Sequence, residues 1–299
     1  MTVLNEWFFP RGTLTSDRWE CVIDGNTPGW TYTGIHVAAM DDDTIGLPAA
    51  ELERIVVPLA GSFEIAHEGT TTVLNGRDSV FDGPSDVLYV GAEESLTVGG
   101  SGRVAIAEAR TSIRKPSKYI AKSEVPVEVR GAGRATRQIH NLGWPGTVDA
   151  AALLVCEAIT PAGNWSSYPG HKHDELLPGS ETLLEEIYYF EAAPVRGTDA
   201  PADADAFGSF ATYSSAAGEI ETRALVRTGD IALVPYGYHG PAAAAPEYDL
   251  YYLNVMAGPG PDRAWMFTDD PRQAWIRSRW ESLEPDPRLP YTAQTEGNR

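Results

Sequence analysis

Short apolar runs separated by turn residues fill this chain, and helical spacing is scarce. Alternating or continuous β-branched and aromatic stretches predict strands at 54–58, 61–67, 70–74, 87–90, 95–98 and 104–107 in the first half. In the second half they fall at 152–158, 186–190, 207–213, 220–226, 231–234 and 250–255. Short, evenly spaced strands with Gly, Pro and Asp between them point to a sandwich or barrel, not to alternating strand and helix units. Helices are expected only at 47–52 and at 271–280, where Pro271 suits a first helical turn. Each half carries a strand cluster, a turn ending in Asp (Ser85-Asp86; Gly229-Asp230) and then an apolar strand. The reading is an all-β chain of two barrels in tandem: 1–110 the first barrel, 111–150 a basic connector, 151–283 the second barrel and 284–299 a proline-containing tail. The Ala-, Asp- and Pro-rich stretch 191–206 is expected to be a surface loop.

Composition narrows the function. Of 299 residues, 42% are apolar and 22% charged, which supplies a core and excludes wholesale disorder. No apolar run approaches the roughly 20 residues that span a bilayer, and no basic patch leads into an apolar stretch at the N-terminus. No membrane association is expected, and the cytoplasm is the expected compartment. Lys and Arg number 23 against 42 Asp and Glu, a net charge of −19. That field repels phosphate backbones, so nucleic acid is not an expected partner. A small anion remains admissible, because one bound cation or one placed arginine can dominate the field inside a pocket. Cys21 and Cys156 lie far apart and form no CxxC, which fits a reducing compartment.

The six histidines are His36, His67, His140, His171, His173 and His239. On a strand, residues i and i+2 share a face, so His171 and His173 project together. Lys172 then points away, towards a surface ion pair with Asp174 or Glu175. Two imidazoles on one face suit a divalent transition metal. A Glu185-Glu186 pair opens the next aromatic strand, and strand alternation lets only one of the two face inward. The order Gly163, HxH, Glu, then Gly229-Asp230 and Pro235-x-Gly237-x-His239, resembles the cupin superfamily, and alignment on EIYYF favours Glu186. The loop between His173 and Glu186 is longer than in that pattern.

Longer blocks resemble the bacterial 5-deoxy-glucuronate isomerases of myo-inositol catabolism: GNWSSYPGHKHD at 163–174, LEEIYY at 184–189, YDLYYLNVMAG at 248–258 and GRDSVF at 76–81. The similarity runs from about Gly34 to Trp275. It implies a bicupin whose second barrel holds one divalent transition metal on His171, His173, Glu186 and His239. Zn or Mn is expected first, with Fe, Co and Ni also compatible with the ligand set. It implies a metal-free first barrel, with His36, His67 and His140 as ordinary satisfied or surface residues. The implied reaction is an aldose–ketose isomerisation of 5-deoxy-glucuronate, a small anionic sugar acid, to 2-deoxy-5-keto-gluconate.

Such a reaction moves a proton from C2 to C1, and the base could be Tyr251, with Tyr189 and Glu185 behind it. A hydride shift without a base is the other route. Arg223 or Arg227 is expected to meet the substrate carboxylate, and Asn254 to hydrogen-bond a ligand imidazole. Two competing readings stay open: a metallo-cupin dioxygenase with the same ligands, distinguished by oxygen consumption, and a non-catalytic sugar-binding bicupin. Because barrel edges commonly pair, a homo-oligomer is expected.

Overall fold

A computed structural model describes residues 3–292. Its first barrel is one seven-stranded sheet in the order Cys21–Ile23, Thr33–Leu47, Leu96–Arg110, Leu52–His67, Val87–Val90 and Lys118–Ile120, with Thr70–Arg77 beside Leu52–His67. The second barrel has two sheets. One runs Phe8–Phe9, Ile231–Val234, Glu185–Pro194, Tyr248–Ala257, Leu154–Thr160, Arg137–Gly143 and Val127–Arg130. The other runs Glu221–Val226, Gly208–Tyr213, Tyr238–Ala244, His171–Lys172 and Thr268–Asp269, with Trp165–Ser166 against Tyr238–Ala244. The stretch 111–150 therefore supplies strands to both barrels, and Phe8–Phe9 joins the second.

Strand alternation separates three cores. On Glu185–Pro194, Ile187 and Tyr189 face the junction between barrels, with Ile55, Val57 and Ala107 of the first barrel in the same cluster. Tyr188 and Phe190 face the interior of the second barrel with Tyr252 and Met256. Val56, Phe63, Ile65 and Ile106 fill the first barrel. Each fully buried Ile, Leu or Phe here is worth roughly 1.5–3 kcal/mol relative to exposure.

The strands of the first barrel are longer than the sequence pattern suggests. The predicted pieces 54–58 and 61–67 are one strand, interrupted by a register shift between Pro58 and Ala60 that changes which parity faces inward. Likewise 95–98 and 104–107 join across Gly99-Gly100-Ser101-Gly102, a sequence that reads as a turn. Gly102, at φ 126°, shows why: a Cβ there would lie 2.1 Å from the Ala60 carbonyl oxygen of the neighbouring strand. The expected helix at 47–52 is absent; Leu47 ends one long strand, Leu52 begins the next, and Pro48 lies in the loop. At the C-terminal end only Ile276–Trp280 is helical, with 271–275 forming turns. Of the expected tail, the described part packs on the second barrel through Asp286–Asn164 and Tyr291–Gln138 contacts; 293–299 lies outside the described residues.

Two buried glutamates bind the barrels reciprocally. Glu53 accepts hydrogen bonds from the backbone N–H groups of Ala151, Ala152 and Leu153, which lead into the second barrel. Glu185 accepts from Thr31, Tyr32 and Thr33, which lead into the long strand Thr33–Leu47 of the first. Backbone N–H groups that would otherwise be buried without partners are thereby satisfied.

Candidate metal centre

The register of the strands turns Glu185 and Glu186 to opposite faces. Glu185 is in the reciprocal clamp, and Glu186 points into the second barrel. There its Oε2 lies 2.9 Å from His173 Nε2 and 3.1 Å from His239 Nε2. Candidate ligand atoms of His173, Glu186 and His239 all lie within 4.8 Å of one another, and all three residues are buried. His171 stands beside them, opposite His239 in the strand pairing, with ring centroids 4.4 Å apart.

Each imidazole has its tautomer set by a backbone carbonyl. His171 Nδ1 is 3.2 Å from the Pro169 oxygen, His173 Nδ1 3.0 Å from that of Leu184, and His239 Nδ1 3.3 Å from that of Gly237. A carbonyl only accepts, so each Nδ1 carries hydrogen and each Nε2 offers a lone pair to the centre. His239 Nε2 is buried and has no hydrogen-bond partner. Lone pairs converging on a carboxylate repel unless a cation lies between them, and that is the donor set a divalent transition metal requires. Burial first, then the neighbouring His239 and His173, hold the His171 imidazolium well below its usual range. For His173, burial also disfavours the charged form, but contact with Glu186 outweighs it and the net shift is upward. Burial would raise the Glu186 carboxyl; with protons on the Nε2 atoms of His173 and His239 in the place a cation would take, their contacts prevail and hold it well below its usual range. Burial, reinforced by Glu186, pushes the nearby Cys156 thiol up to about 12, so it lines the pocket as a neutral group.

The long loop after His173 has a positioning role. It returns so that Leu184 N donates to the His173 carbonyl while His173 Nδ1 donates back. Asp174 accepts from Gly237 N at 2.8 Å, tying that loop to the turn that carries His239. Lys172 faces away from the centre, as alternation requires, but it is buried, not on the surface. Its Nζ sits among Asp174, Glu175 and Glu181 at 2.7, 2.5 and 2.9 Å. That acidic cluster thus already contains its cation.

Other expected site residues are elsewhere. Tyr251 lies on the opposite face of its strand from the histidines; its hydroxyl donates to Glu157 Oε2 at 2.6 Å in the core between barrels. Tyr189 faces the same core. Tyr252, one residue on, lines the pocket with Tyr188, and both hydroxyls meet Ser167 Oγ, at 3.2 and 3.0 Å. Tyr251→Phe is therefore expected to leave turnover intact and lower stability by about 1–2 kcal/mol; a fall in kcat with unchanged urea denaturation would return Tyr251 to the chemistry. Arg223 is exposed and paired with Glu221, and Arg227 is paired with Asp205 at the surface, so neither reaches the pocket. Asn254 lines the pocket but donates to the Ile187 carbonyl, not to an imidazole. Sequence reasoning missed Arg130, Arg137, Trp144 and Trp265 in the lining. Trp144 and Trp265 pack edge to face, 6.0 Å between ring centroids, and the free space left inside is about 30 Å³, enough for an ion or a water.

Equivalent strands of the first barrel show what replaces this set. Glu186 lies opposite Val234 and Met256; Arg54 lies opposite Val90 and Glu108 in the matching strands. Arg54 Nε donates to Glu108 Oε1 at 2.6 Å, and His36 Nε2 is 3.2 Å from Glu108 Oε2. A guanidinium thus occupies the position of the carboxylate ligand. His67 and His140 also have partners, Thr72 and Glu157.

Residues 8–276 match the KduI/IolB family. A 5-deoxy-glucuronate isomerase of Geobacillus thermodenitrificans (strain NG80-2) is 38% identical over 253 residues, 83% of this chain and 87% of that protein. One from Listeria monocytogenes serovar 1/2a is 33% identical over 282 residues, 92% and 97% of the two chains. The crystal structure of an IolB-like protein from Salmonella typhimurium LT2 superposes with a TM-score of 0.81 at 32% identity, covering 91% of this chain and 99% of that one. The oxalate decarboxylase of Lactobacillus farciminis superposes with a TM-score of 0.61 at 9% identity over 90% of each chain, a likeness of fold alone. The architecture is two tandem cupin barrels, and the chain belongs to the KduI/IolB family.

Proposed function

We propose that this protein is a metal-dependent aldose–ketose isomerase that converts 5-deoxy-glucuronate to 2-deoxy-5-keto-gluconate. The observation that carries the reading is the buried cluster of His173, Glu186 and His239, with His171 beside it, in a chain whose relatives bear that activity in their names. A divalent metal held by His171, His173, Glu186 and His239 would supply Lewis-acid stabilisation of the negative charge that develops on the substrate oxygens. The reaction is balanced within the substrate: the C2 proton moves to C1, the aldehyde becomes an alcohol and the C2 hydroxyl a ketone.

Around the metal position the chain offers proton donors. Burial, with Glu186 adding to it, keeps the Tyr188 hydroxyl protonated far above its usual range. Burial raises Tyr252 too, with the Arg137 guanidinium pulling partly the other way. Tyr252, linked to Tyr188 through Ser167 and lining the same pocket as Glu186, is the group we assign to donating a hydrogen bond to a substrate oxygen. Trp144 and Trp265 line the pocket beside His171 and Glu186 and offer apolar faces to a bound sugar.

Two reduced, buried cysteines are consistent with a cytoplasmic setting, and no helix among the described residues is long and apolar enough to cross a membrane. A second copy of the chain, the expected partner, would find an open sheet edge at Val127–Arg130, where Val127 and Val129 are exposed. Incubation of the metal-loaded protein with 5-deoxy-glucuronate in heavy water, followed by NMR, should show the ketose with solvent deuterium at C1. Absence of any ketose from protein with a full metal complement sinks the proposal.

A further inference from the structure

Arg137 is the anomaly of the pocket. It is only 5% exposed, and no carboxylate of the described residues forms an ion pair with it. One terminal nitrogen donates to the Ala135 carbonyl at 3.1 Å, while Nε has no hydrogen-bond partner. The other buried arginines are satisfied by acids: Arg54 by Glu108 and Arg77 by Glu157. A buried guanidinium without a counter-charge is expensive, of order several kcal/mol. Burial, with Arg130 and Arg277 adding repulsion, pushes it down to about 10, so it remains charged at neutral pH.

A second feature points the same way. In the ladder between Val127–Arg130 and Arg137–Gly143, Arg137 lies directly opposite Arg130, and both line the cavity with His171 and Glu186. Like charges at directly paired positions destabilise a sheet. Arg130 has a carboxylate of its own, Glu128, and lies 5.4 Å over the ring of Trp265. Trp265 Nε1, in the same lining, is a further buried donor without a partner. Guanidinium forks match carboxylates two bonds at a time.

We propose that Arg137, backed by Arg130 across the strand pair, receives the substrate's carboxylate and orients the opposite, aldehyde end towards the histidines. This rests on the isomerase reading only for the identity of the substrate; the anion site stands on a buried arginine that lies 5.6 Å over the Trp280 ring and donates to the Ala135 carbonyl but has no carboxylate partner among the described residues. It also replaces Arg223 and Arg227 in that role.

The probe is glucuronate, which differs from the substrate by one hydroxyl, with glucose as its uncharged counterpart. Binding to metal-loaded protein is followed by calorimetry, with metal content and melting temperature measured on each variant. Wild type should bind glucuronate saturably and at least about ten times more tightly than glucose. Arg137→Met should weaken glucuronate about 100-fold with metal content unchanged, and barely alter glucose. Should that variant fail to fold, Arg137→Lys keeps the charge but loses the fork, and a weakening of about tenfold is expected. Equal affinity of a folded variant and wild type for glucuronate overturns the proposal, as does wild type that binds no glucuronate. Failure of the isomerase reading shows up separately, as metal-loaded protein that binds glucuronate through Arg137 yet produces no ketose.

Discussion

His239→Ala is expected to strip the protein of its divalent metal and lower kcat/KM for 5-deoxy-glucuronate by about 10³-fold or more, while the barrel stays folded. The strand that carries His239, Tyr238–Ala244, is hydrogen-bonded to Gly208–Tyr213 on one side and to Trp165–Ser166 and His171–Lys172 on the other, and none of those backbone bonds involves the imidazole. What the substitution removes is a buried Nε2 lone pair aimed at Glu186. Elemental analysis of the purified variant should find less than a tenth of the wild-type metal. A chelator should lower the melting temperature of wild type and leave that of the variant unmoved, because a ligand stabilises only a state that binds it. Glu185→Gln is the control: one residue from Glu186 but on the opposite face, it should retain metal and turnover while weakening the clamp on Thr31–Thr33. If His239→Ala keeps a full metal complement, the metal resides elsewhere and the ligand set is wrong.

Legibility of the site in the sequence followed how local its geometry is. The HxH pair, the glutamate heading an aromatic strand and the Pro-x-Gly-x-His turn are each fixed within a few residues, so spacing and resemblance together named four candidate ligands, of which His173, Glu186 and His239 lie within 4.8 Å of one another and His171 stands beside His239. Strand parity, a local rule, allowed only one of Glu185 and Glu186 to face inward, and the resemblance on EIYYF chose Glu186. Tyr251 shows the limit: parity separates it from Tyr252 just as firmly, but nothing in YDLYYLNVMA says which parity faces the histidines, because both faces of that strand are buried. Arg137 was hidden for another reason. It lies in a stretch that looked like a connector because it is basic and lacks apolar periodicity, yet its strand is buried throughout. The local excess of Arg in a chain of net charge −19 was the available signal. The first barrel's long strands were missed where bulges and glycines broke the period of two, as at Asp41–Asp43 of Thr33–Leu47.

Breaking the ion pair between the barrels should destabilise the protein more than any substitution in the pocket. Arg77 of the first barrel donates two parallel bonds of 2.7 Å to Glu157 of the second, with both side chains essentially inaccessible. Arg77 also donates to the Pro58 and Gly83 carbonyls, and Glu157 accepts from Tyr251 and pairs with His140 Nδ1 at 2.6 Å. Arg77→Met leaves the carboxylate buried without its guanidinium, and a loss of roughly 3–5 kcal/mol at pH 7 is expected from urea unfolding. Replacing both partners, Arg77→Met with Glu157→Leu, should lose less than the sum of the single changes, since no charge is then stranded. Acid dependence gives an independent reading. Burial alone would raise the Glu157 carboxyl, but Arg77 and then His140 outweigh it and bring it down to about 2 from 4.5. A carboxyl held lower in the folded state stabilises it fully above the unfolded value, and that stabilisation fades as pH falls from about 4.5 towards 2. Glu157→Gln should accordingly be less stable than wild type at pH 7 and lose less on acidification to pH 3. Parallel stability–pH curves for the two proteins would mean that this buried pair does not latch the barrels together.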